Sequence, residues 1–206
     1  SKQPLIAKNI LINEAKKQNL ELMFPNKTTT TISLKNLYGL HQIQNANLAK
    51  RVVNYLKKNN IINISTKNIN IGIENTIWHG RFQILNQKPL IIFDVAHNHS
   101  SLNCFIKSFD DYINKKTFDQ KYLLCAFERN KKIKTILKQC ENRFHQIICS
   151  QTNIRDSMPA DEIASIFRNK NNIIIEEYIN NAIKLSLKKL TKNDTLVIIG
   201  SHFLGP

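Results

Sequence analysis

The fold of the chain is decided by the stretch Leu90-Ile91-Ile92-Phe93-Asp94-Val95-Ala96-His97-Asn98-His99-Ser100. Its first four residues are all large and apolar, which is typical of a strand buried on both faces of a sheet. Residues 100–113 then carry apolar side chains at intervals of three or four positions, the period of an amphipathic helix, namely Leu102, Phe105, Ile106, Phe109 and Ile113. A buried strand followed directly by such a helix is the repeating unit of a parallel sheet.

The same alternation continues to the end of the sequence. Short apolar runs predict four more strands, at residues 122–127, 147–149, 173–175 and 196–199. Helical periodicity predicts three more helices, at residues 133–140, 160–167 and 179–190, the second of which starts after Pro159. We therefore predict an α/β fold with a Rossmann-like, mostly parallel sheet that has helices on both faces.

Residues 1–76 are less regular. We predict helices at residues 6–18 and 43–58, a hairpin or loop at 26–31, and an irregular connection over the polar residues 59–75. The change of pattern places a domain boundary at about residue 77. This gives an upstream domain of residues 1–76 and a Rossmann-like domain of residues 77–206.

Length and composition exclude several classes of protein. A chain of 206 residues that is 42% hydrophobic can bury a core, and its 5 Gly and 5 Pro exclude a low-complexity chain. The net charge of +15 suggests an anionic partner such as nucleic acid. However, Lys, Ile and Asn together make up 82 of the 206 residues. The codons of all three are AT-rich, so base composition also accounts for the excess of Lys.

Cysteine spacing and hydropathy bear on where the protein works. The four cysteines form no C-x-x-C pair, and no apolar run reaches the roughly 18 residues that a membrane span needs. We expect a soluble, cytoplasmic protein with reduced thiols. The sequence also contains no G-x-x-x-x-G-K-[ST] phosphate loop, no G-x-G-x-x-G fingerprint and no G-x-S-x-G elbow.

Polar residues gather where the predicted strands end, which is the edge at which such sheets bind ligands. Asp94 and His97 follow the first strand, and Ser201 follows the last one. Arg81 lies before the first strand, and its planar guanidinium suits a phosphate or a carboxylate. Two other interpretations apply to the residues after the first strand: a helix cap with solvated histidines, or a metal site of Asp94, His97 and His99.

Four motifs occur in order along the chain. They are Gly39-Leu40-His41-Gln42-Ile43-Gln44-Asn45-Ala46, Trp78-His79-Gly80-Arg81-Phe82-Gln83, Asp94-Val95-Ala96-His97-Asn98 and Gly200-Ser201. Together they resemble the motifs of the folylpolyglutamate synthase/dihydrofolate synthase family, of the Mur ligase superfamily, in the C-terminal half of that family's sequence. His79, Val95, His99 and the stretch 127–130 depart from the family's pattern, each beside positions that the family uses.

The resemblance implies an ATP-dependent ligase that adds glutamate to folate or dihydropteroate through an acyl phosphate, in folate biosynthesis and one-carbon metabolism. Residues 1–76 would be the end of the central ATP-binding domain, and residues 77–206 the glutamate-ligase domain. The family's phosphate loop and Mg²⁺ ligands would lie upstream, so the chain alone is expected to be inactive. We expect a monomer whose partners are ATP, L-glutamate and the folate or dihydropteroate substrate.

The resemblance also implies roles for five residues. Asn45 would contact the adenine of ATP, Asp94 its ribose and Arg81 its phosphates. His97 and Ser201 would hold the incoming glutamate, and Arg81 and His97 would be the catalytic residues.

Two rival functions belong to other classes. A basic α/β module that binds nucleic acid would account for the charge, but Lys is dispersed along the chain and Arg, the usual reader of bases, is scarce. We therefore expect no nucleic-acid partner. A non-catalytic interaction domain descended from the ligase is the second rival.

Overall fold

A computed structural model describes residues 5–22, 24, 32–114, 116–129, 133–153 and 156–204. The hairpin or loop predicted at residues 26–31 lies outside the described residues. The chain divides into two compact units. The first unit contains Ser1–Lys35 and Leu40–Thr76, and the second contains Asn36–Gly39 and Ile77–Pro206.

Helices make up most of the described part of the first unit: α1 (Leu5–Lys17), α2 (Leu40–Lys58) and α3 (Thr66–Glu74). Helices α1 and α2 lie close to where the apolar periodicity predicts them. Helix α1 buries none of its residues, α2 buries Gln42 and Ala46, and α3 buries Ile69. The described residues of the first unit therefore form little hydrophobic core of their own.

The prediction of an irregular connection over residues 59–75 is wrong, because these residues contain α3. Ser65 caps this helix, since its hydroxyl accepts a hydrogen bond from the backbone N–H of Asn68 at 3.1 Å. Ile69 and Ile73 lie four residues apart and so share one helix face. Ile alternates with other residues from Ile69 to Ile73, and this alternation hides the helical period in the sequence.

The second unit is built on a six-stranded sheet with the strand order β1-β2-β6-β3-β4-β5. The strands are β1 (Gln83–Gln87), β2 (Leu90–Asp94), β3 (Lys121–Ala126), β4 (Gln146–Gln151), β5 (Ile173–Tyr178) and β6 (Thr195–Gly200). Strand β1 runs antiparallel to β2, and the other neighbouring strands are parallel. The predicted mostly parallel α/β sheet is confirmed. The apolar patterns do not predict β1, an edge strand whose side chains are all half-buried or exposed.

Helices cover both faces of this sheet, as predicted. They are α4 (His99–Ile113), α5 (Lys134–Leu137), α6 (Ala160–Ser165) and α7 (Ile179–Lys189). Helices α4, α5 and α6 belong to the core on one face, where Phe109, Ile136 and Ile163 are each at most 1% exposed. Helix α7 belongs to the core on the other face, where Ala182 and Ile148 are both fully buried. Each large apolar side chain buried in this way contributes about 1.5–3 kcal/mol to folding.

The position of the last strand follows from the direction of the crossovers. From β2 to β5 the chain leads toward one edge of the sheet, with α4, α5 and α6 on the same face. It then returns through α7 and places β6 between β2 and β3. Because crossovers between parallel strands are right-handed, this reversal of direction puts α7 on the opposite face. The carboxyl ends of β2, β6 and β3 consequently lie side by side.

The cysteines of the second unit are all free thiols. Cys125, Cys140 and Cys149 are buried and Cys104 is half-buried. Burial raises the pKa of Cys140 to about 12, so this thiol stays protonated and packs as a small apolar group. In the part of the chain that the structure describes, no helix has both the length and the hydropathy to cross a bilayer.

We predict that residues 77–206 fold cooperatively without residues 1–76. The two cores that flank the sheet consist almost entirely of residues after position 77, whereas the first unit buries few apolar side chains. Thermal unfolding followed by circular dichroism is expected to show one cooperative transition for a fragment of residues 77–206. A fragment of residues 1–76 is the matched control and is expected to melt gradually. A gradual melt of the 77–206 fragment would contradict the prediction.

Candidate active site

Three loops meet at one edge of the sheet because they follow three neighbouring strands. Asp94 at the end of β2 pairs with Ile199 of β6, and Gly200 of β6 pairs with Ala126 of β3. The segments after these strands, which begin at residues 95, 127 and 201, therefore start next to one another. This is the edge at which parallel α/β sheets bind ligands.

The loop that carries Arg81 is fixed to the end of β2 on both sides of that residue. On one side, the carbonyl of Gly80 accepts a hydrogen bond from the N–H of Val95 at 2.9 Å. On the other side, the N–H of Phe82 donates to Asp94 Oδ2 at 2.7 Å. Gly80 and Phe82 both have positive φ angles, of 69° and 47°, so the backbone turns sharply at Arg81. The half-buried Arg81 is thereby held near the Asp94 carboxylate.

Asp94 holds this loop in place through its hydrogen bond from Phe82. It is 8% exposed, and its second carboxylate oxygen, Oδ1, accepts a hydrogen bond from the N–H of Ala96 at 2.8 Å. Burial raises the pKa of Asp94 to about 6, although the hydrogen bonds from Phe82 and Ala96 and the charge of Arg81 favour the ionised form. These contacts give Asp94 a structural role, and its contact with a ribose stays a prediction.

His97 presents a defined nitrogen to the site. Its Nδ1 lies 2.9 Å from the carbonyl oxygen of Val95. Since a carbonyl oxygen only accepts, Nδ1 must carry the proton in this contact, and Nε2 of the neutral ring is an acceptor. The ring of His97 also lies 5.2 Å from the ring of His202, measured between centroids.

The residues after His97 form a helix cap. The Asn98 side chain accepts a hydrogen bond from the N–H of Ser101 at 3.0 Å, and the Ser101 hydroxyl accepts from the N–H of Asn98 at 3.1 Å. His99 is the first residue of α4 and is exposed. The helix-cap interpretation is therefore correct for Asn98, whereas His97 is half-buried and hydrogen-bonded rather than simply solvated.

Ser201 is fully buried at the end of β6. Its N–H donates to the carbonyl of Ala126 at 2.9 Å, and its hydroxyl donates to Glu128 Oε1 at 3.1 Å. Gly200 allows this close approach of β6 to β3, because a Cβ at this position would lie 1.9 Å from the Ala126 carbonyl oxygen. Gly200 also has a φ of 135°, in a region that side chains rarely adopt.

Sequence reasoning missed Glu128 as a site residue. Glu128 lies two positions after the end of β3, and this closeness to a strand end is a signal that the sequence contains. The sequence does not reveal the strand order, which brings the end of β3 next to the end of β6. Of the five predicted site residues, Arg81, Asp94, His97 and Ser201 belong to this edge of the second unit. Asn45 lies on α2 of the first unit, where its amide donates to Gln42 Oε1 at 3.2 Å.

A metal site finds no support in the described part of the chain. Among these residues, no group of three or more His, Cys, Asp or Glu side chains is arranged to hold a metal ion. Both oxygens of Asp94 already accept backbone hydrogen bonds. Asp94, His97 and His99 therefore do not form a metal site in the described part of the chain.

Comparison with known proteins assigns the family. Residues 80–202 match the family described as Mur ligase, glutamate ligase domain. The chain belongs to the Mur ligase family. The relatives are ATP-dependent ligases, and the resemblance to the folylpolyglutamate synthase/dihydrofolate synthase branch of the family is confirmed.

Three relatives illustrate this assignment. The dihydrofolate synthase/folylpolyglutamate synthase of Bacillus subtilis (strain 168) is 26% identical over 171 residues, which cover 81% of this chain and 38% of that protein. The Mycobacterium tuberculosis folylpolyglutamate synthase complexed with ADP has a TM-score of 0.79 at 15% identity, over 97% of this chain and 51% of that one. A bifunctional folylpolyglutamate synthase/dihydrofolate synthase with Mn, AMPPNP and L-glutamate bound has a TM-score of 0.73 at 17% identity, over 95% of this chain and 49% of that one. The chain thus spans about half the length of the two solved structures and 38% of the length of the Bacillus subtilis protein.

We predict that Gly200→Ala severely destabilises the second unit. The new methyl group would overlap the Ala126 carbonyl and would require a disfavoured φ angle. The expected loss is about 3 kcal/mol or more of unfolding free energy, measured by urea denaturation. Gly72→Ala is the matched control, because a Cβ at that helical position meets no atom within 4 Å. It is expected to leave stability unchanged or to raise it by up to about 1 kcal/mol. Similar effects of the two changes would contradict the prediction.

We also predict that Asp94 makes the protein less stable as the pH rises from 4 to 7. The pKa of Asp94 is about 6 in the folded chain, against an ordinary value of 3.8 for an aspartate side chain. A raised folded-state pKa contributes stability that is complete below the unfolded pKa and is lost as the pH rises through the folded pKa. The stability of the wild type relative to Asp94→Asn should therefore fall by up to about 3 kcal/mol between pH 4 and 7. Urea denaturation of both proteins across this range measures the difference, and a difference that does not vary with pH would refute it.

Proposed function

We propose that this chain is the C-terminal part of an ATP-dependent ligase that adds glutamate to folate or dihydropteroate through an acyl phosphate. The observation that carries the proposal is the convergence of Arg81, His97, Ser201 and Glu128 at one sheet edge, within a domain that matches the family's glutamate ligase domain. The four motifs and the Bacillus subtilis relative favour the folate branch of the family. The structural neighbour with AMPPNP and L-glutamate bound supports the same pair of ligands.

The two units would serve different parts of this reaction. We assign residues 1–76 to the end of the ATP-binding domain and residues 77–206 to the glutamate-ligase domain. The exposed apolar side chains of α1, among them Leu5, Ile6 and Ile10 at 62–77% exposure, support the first assignment. Such side chains suit a helix that packs against further protein, because an isolated helix of this length is only marginally stable in water.

Arg81 would act on the phosphate groups. Transfer of the γ-phosphoryl group needs cationic donors that are already in place when negative charge develops. The guanidinium of Arg81 meets this need because hydrogen bonds on both sides fix its backbone to the end of β2. Asp94 would then act on ATP chiefly by positioning Arg81, in addition to the ribose contact that the resemblance implies. Asn45, on α2, is the residue we propose for the adenine.

A divalent metal ion would supply further charge neutralisation at the phosphates. The described residues of this chain contain no carboxylate cluster that fits Mg²⁺, so we propose no ligand for it here. We expect its ligands outside these residues, as the resemblance implies. The Mn in a structural neighbour supports the use of a divalent metal in the family.

His97 would act on the amine of glutamate. This amine is protonated at neutral pH, and it must lose a proton before it can attack the acyl phosphate. The contact of Nδ1 with the Val95 carbonyl leaves Nε2 of the neutral ring as a proton acceptor. Ser201, next to the His97–His202 ring pair, would hold the same substrate.

The function is tested by a ligase assay on the longest protein that contains this sequence. We expect ATP-dependent addition of L-glutamate to folate or dihydropteroate, with release of ADP and phosphate. The 206-residue chain alone is the control and is expected not to turn over ATP, since its sequence has no phosphate loop. Tight, sequence-selective nucleic-acid binding without ligation would instead favour the basic-module alternative.

In the longer protein used for the ligase assay, we predict that substitutions of Arg81, His97 and His99 have different kinetic effects. Arg81→Ala should lower kcat as well as ATP affinity, because the charge that Arg81 meets grows in the transition state. His97→Ala should lower kcat and raise the KM for L-glutamate more than the KM for ATP. The matched control is His99→Ala, which changes an exposed histidine two positions away and should alter every constant by less than about twofold.

Steady-state kinetics with ATP and L-glutamate varied separately measure these effects. Equal, small effects of His97→Ala and His99→Ala would mean that the segment after β2 serves only as a helix cap, and a small effect of Arg81→Ala would contradict the role of Arg81 at the phosphates.

A further inference from the structure

We propose that Tyr38 is a positioning residue for Arg81. Its ring holds Phe82, the residue that follows Arg81, in a strained backbone conformation. This inference rests on the proposed function, in which Arg81 acts on the phosphate groups. It adds to the site a residue that lies far from Arg81 in the sequence.

Tyr38 lies in a short segment that belongs to a different unit from the chain on either side of it. Asn36–Gly39 is part of the second unit, whereas the chain up to Lys35 and from Leu40 onward is part of the first. Lys35 is itself held in the first unit, because its N–H donates to the Glu74 carbonyl at 3.0 Å. Ordering so short a segment costs conformational entropy, so contacts within the second unit must hold it there.

Ring contacts provide this anchor. The Tyr38 ring lies 5.2 Å from the ring of Phe82 and 5.2 Å from that of Tyr112, measured between centroids. Phe82 in turn contacts α4 through Tyr112 at 5.4 Å and through Phe105 at 5.6 Å. Phe105 and Tyr112 are two helical turns apart, so they share one face of α4. The buried ring of Phe82 is therefore enclosed by α4 and by the ring of Tyr38.

The backbone of Phe82 needs this support. Its φ angle of 47° lies in the left-handed region, which a side chain as bulky as phenylalanine rarely adopts. A strained conformation persists only where the surrounding structure enforces it. Two kinds of contact do so: the N–H of Phe82 donates to Asp94 Oδ2 at 2.7 Å, and its ring is enclosed by its neighbours. Because Arg81 is the preceding residue, the same conformation fixes the point from which the Arg81 side chain extends.

Tyr38 differs from the other two rings around Phe82 in its own support. Phe105 and Tyr112 belong to α4, whose buried residues form part of the core on one face of the sheet. Tyr38 is half-buried and comes from a segment that is neither helix nor strand. Loss of its ring should therefore loosen the loop of Arg81 and leave the second unit folded.

The first test is hydrogen exchange of the Phe82 amide in the 206-residue chain, followed by NMR. The bond to Asp94 protects this amide, so its exchange rate measures how often the loop opens. The internal reference is the amide of Ser201, which donates to the Ala126 carbonyl at the same edge of the sheet. We expect Tyr38→Ala to raise the exchange rate of Phe82 relative to that of Ser201 about tenfold or more. Tyr38→Phe keeps the ring and should change this ratio by less than about twofold.

Two further variants make the comparison decisive. Tyr122→Ala is the matched control, because Tyr122 is also half-buried but packs against the core on the other face of the sheet. It should change the ratio by less than about twofold. Tyr38→Leu is the second test variant in case Tyr38→Ala does not fold, and since it also removes the ring it should raise the ratio. Thermal unfolding of each variant shows whether it is folded.

The second test measures kinetics in the longer protein used for the ligase assay. Tyr38→Ala should lower kcat and raise the KM for ATP, as Arg81→Ala does, while the KM for L-glutamate changes by less than about twofold. Because Tyr38 acts through Arg81, Tyr38→Ala should have little further effect in a protein that already carries Arg81→Ala. Tyr38→Phe should keep the wild-type constants.

The outcomes separate this inference from the proposed function. An unchanged exchange ratio in Tyr38→Ala would show that Tyr38 does not hold the loop, and would overturn the inference whatever the ligase assay gives. A raised ratio with unchanged ATP kinetics, or a full additional effect in the Arg81→Ala protein, would also overturn it. A raised ratio in a protein without ligase activity would refute the proposed function, whereas the support of the Arg81 loop by Tyr38 would stand.

Discussion

The insertion of β6 between β2 and β3 is the constraint on which the rest of the second unit depends. Every residue of β6 is buried, and the strand pairs with β3 along its whole length and with β2 from Thr195 to Ile199. At its end, Gly200 passes so close to the Ala126 carbonyl that only a hydrogen atom fits between them. This one contact brings Ser201 to Glu128 and places His202 beside His97. The candidate site thus exists only once the last strand has entered the sheet.

The buried carboxylate of Asp94 links this sheet edge to the loop before it. Keeping an ionised group at 8% exposure is unfavourable, and burial raises its pKa to about 6. The carboxylate is retained because it accepts two backbone N–H groups, from Phe82 and Ala96, that would otherwise be left without a partner. It also attracts Arg81. Asp94, for which the resemblance implies a contact with the ribose, therefore has a structural role as well: it holds the loop that carries Arg81.

In the second unit, the positions of strands and helices can be predicted from the sequence better than the order in which the strands pair. Runs such as residues 90–93 and 196–199 are local signals, because a strand buried on both faces must be apolar throughout. Edge strand β1 lacks that requirement, and its residues 83–87 are half-buried or exposed. Glu128 was missed for a different reason: the pairing of β3 with β6 joins residues about seventy positions apart, and no local pattern specifies such a pairing. Candidate site residues next to motifs could be found, whereas those brought in by strand order could not.

The two units differ in how much of their apolar surface they bury. The second unit buries phenylalanine, isoleucine and leucine side chains on both faces of its sheet. In the first unit, the described residues leave Leu5, Ile6, Leu11 and Val52 at least 50% exposed. Apolar surface of this kind on helices is stabilised by packing against other protein. Contacts within the second unit therefore support a binding site for the amino-acid substrate of the proposed reaction. The proposed nucleotide site would need residues in addition to those of the first unit.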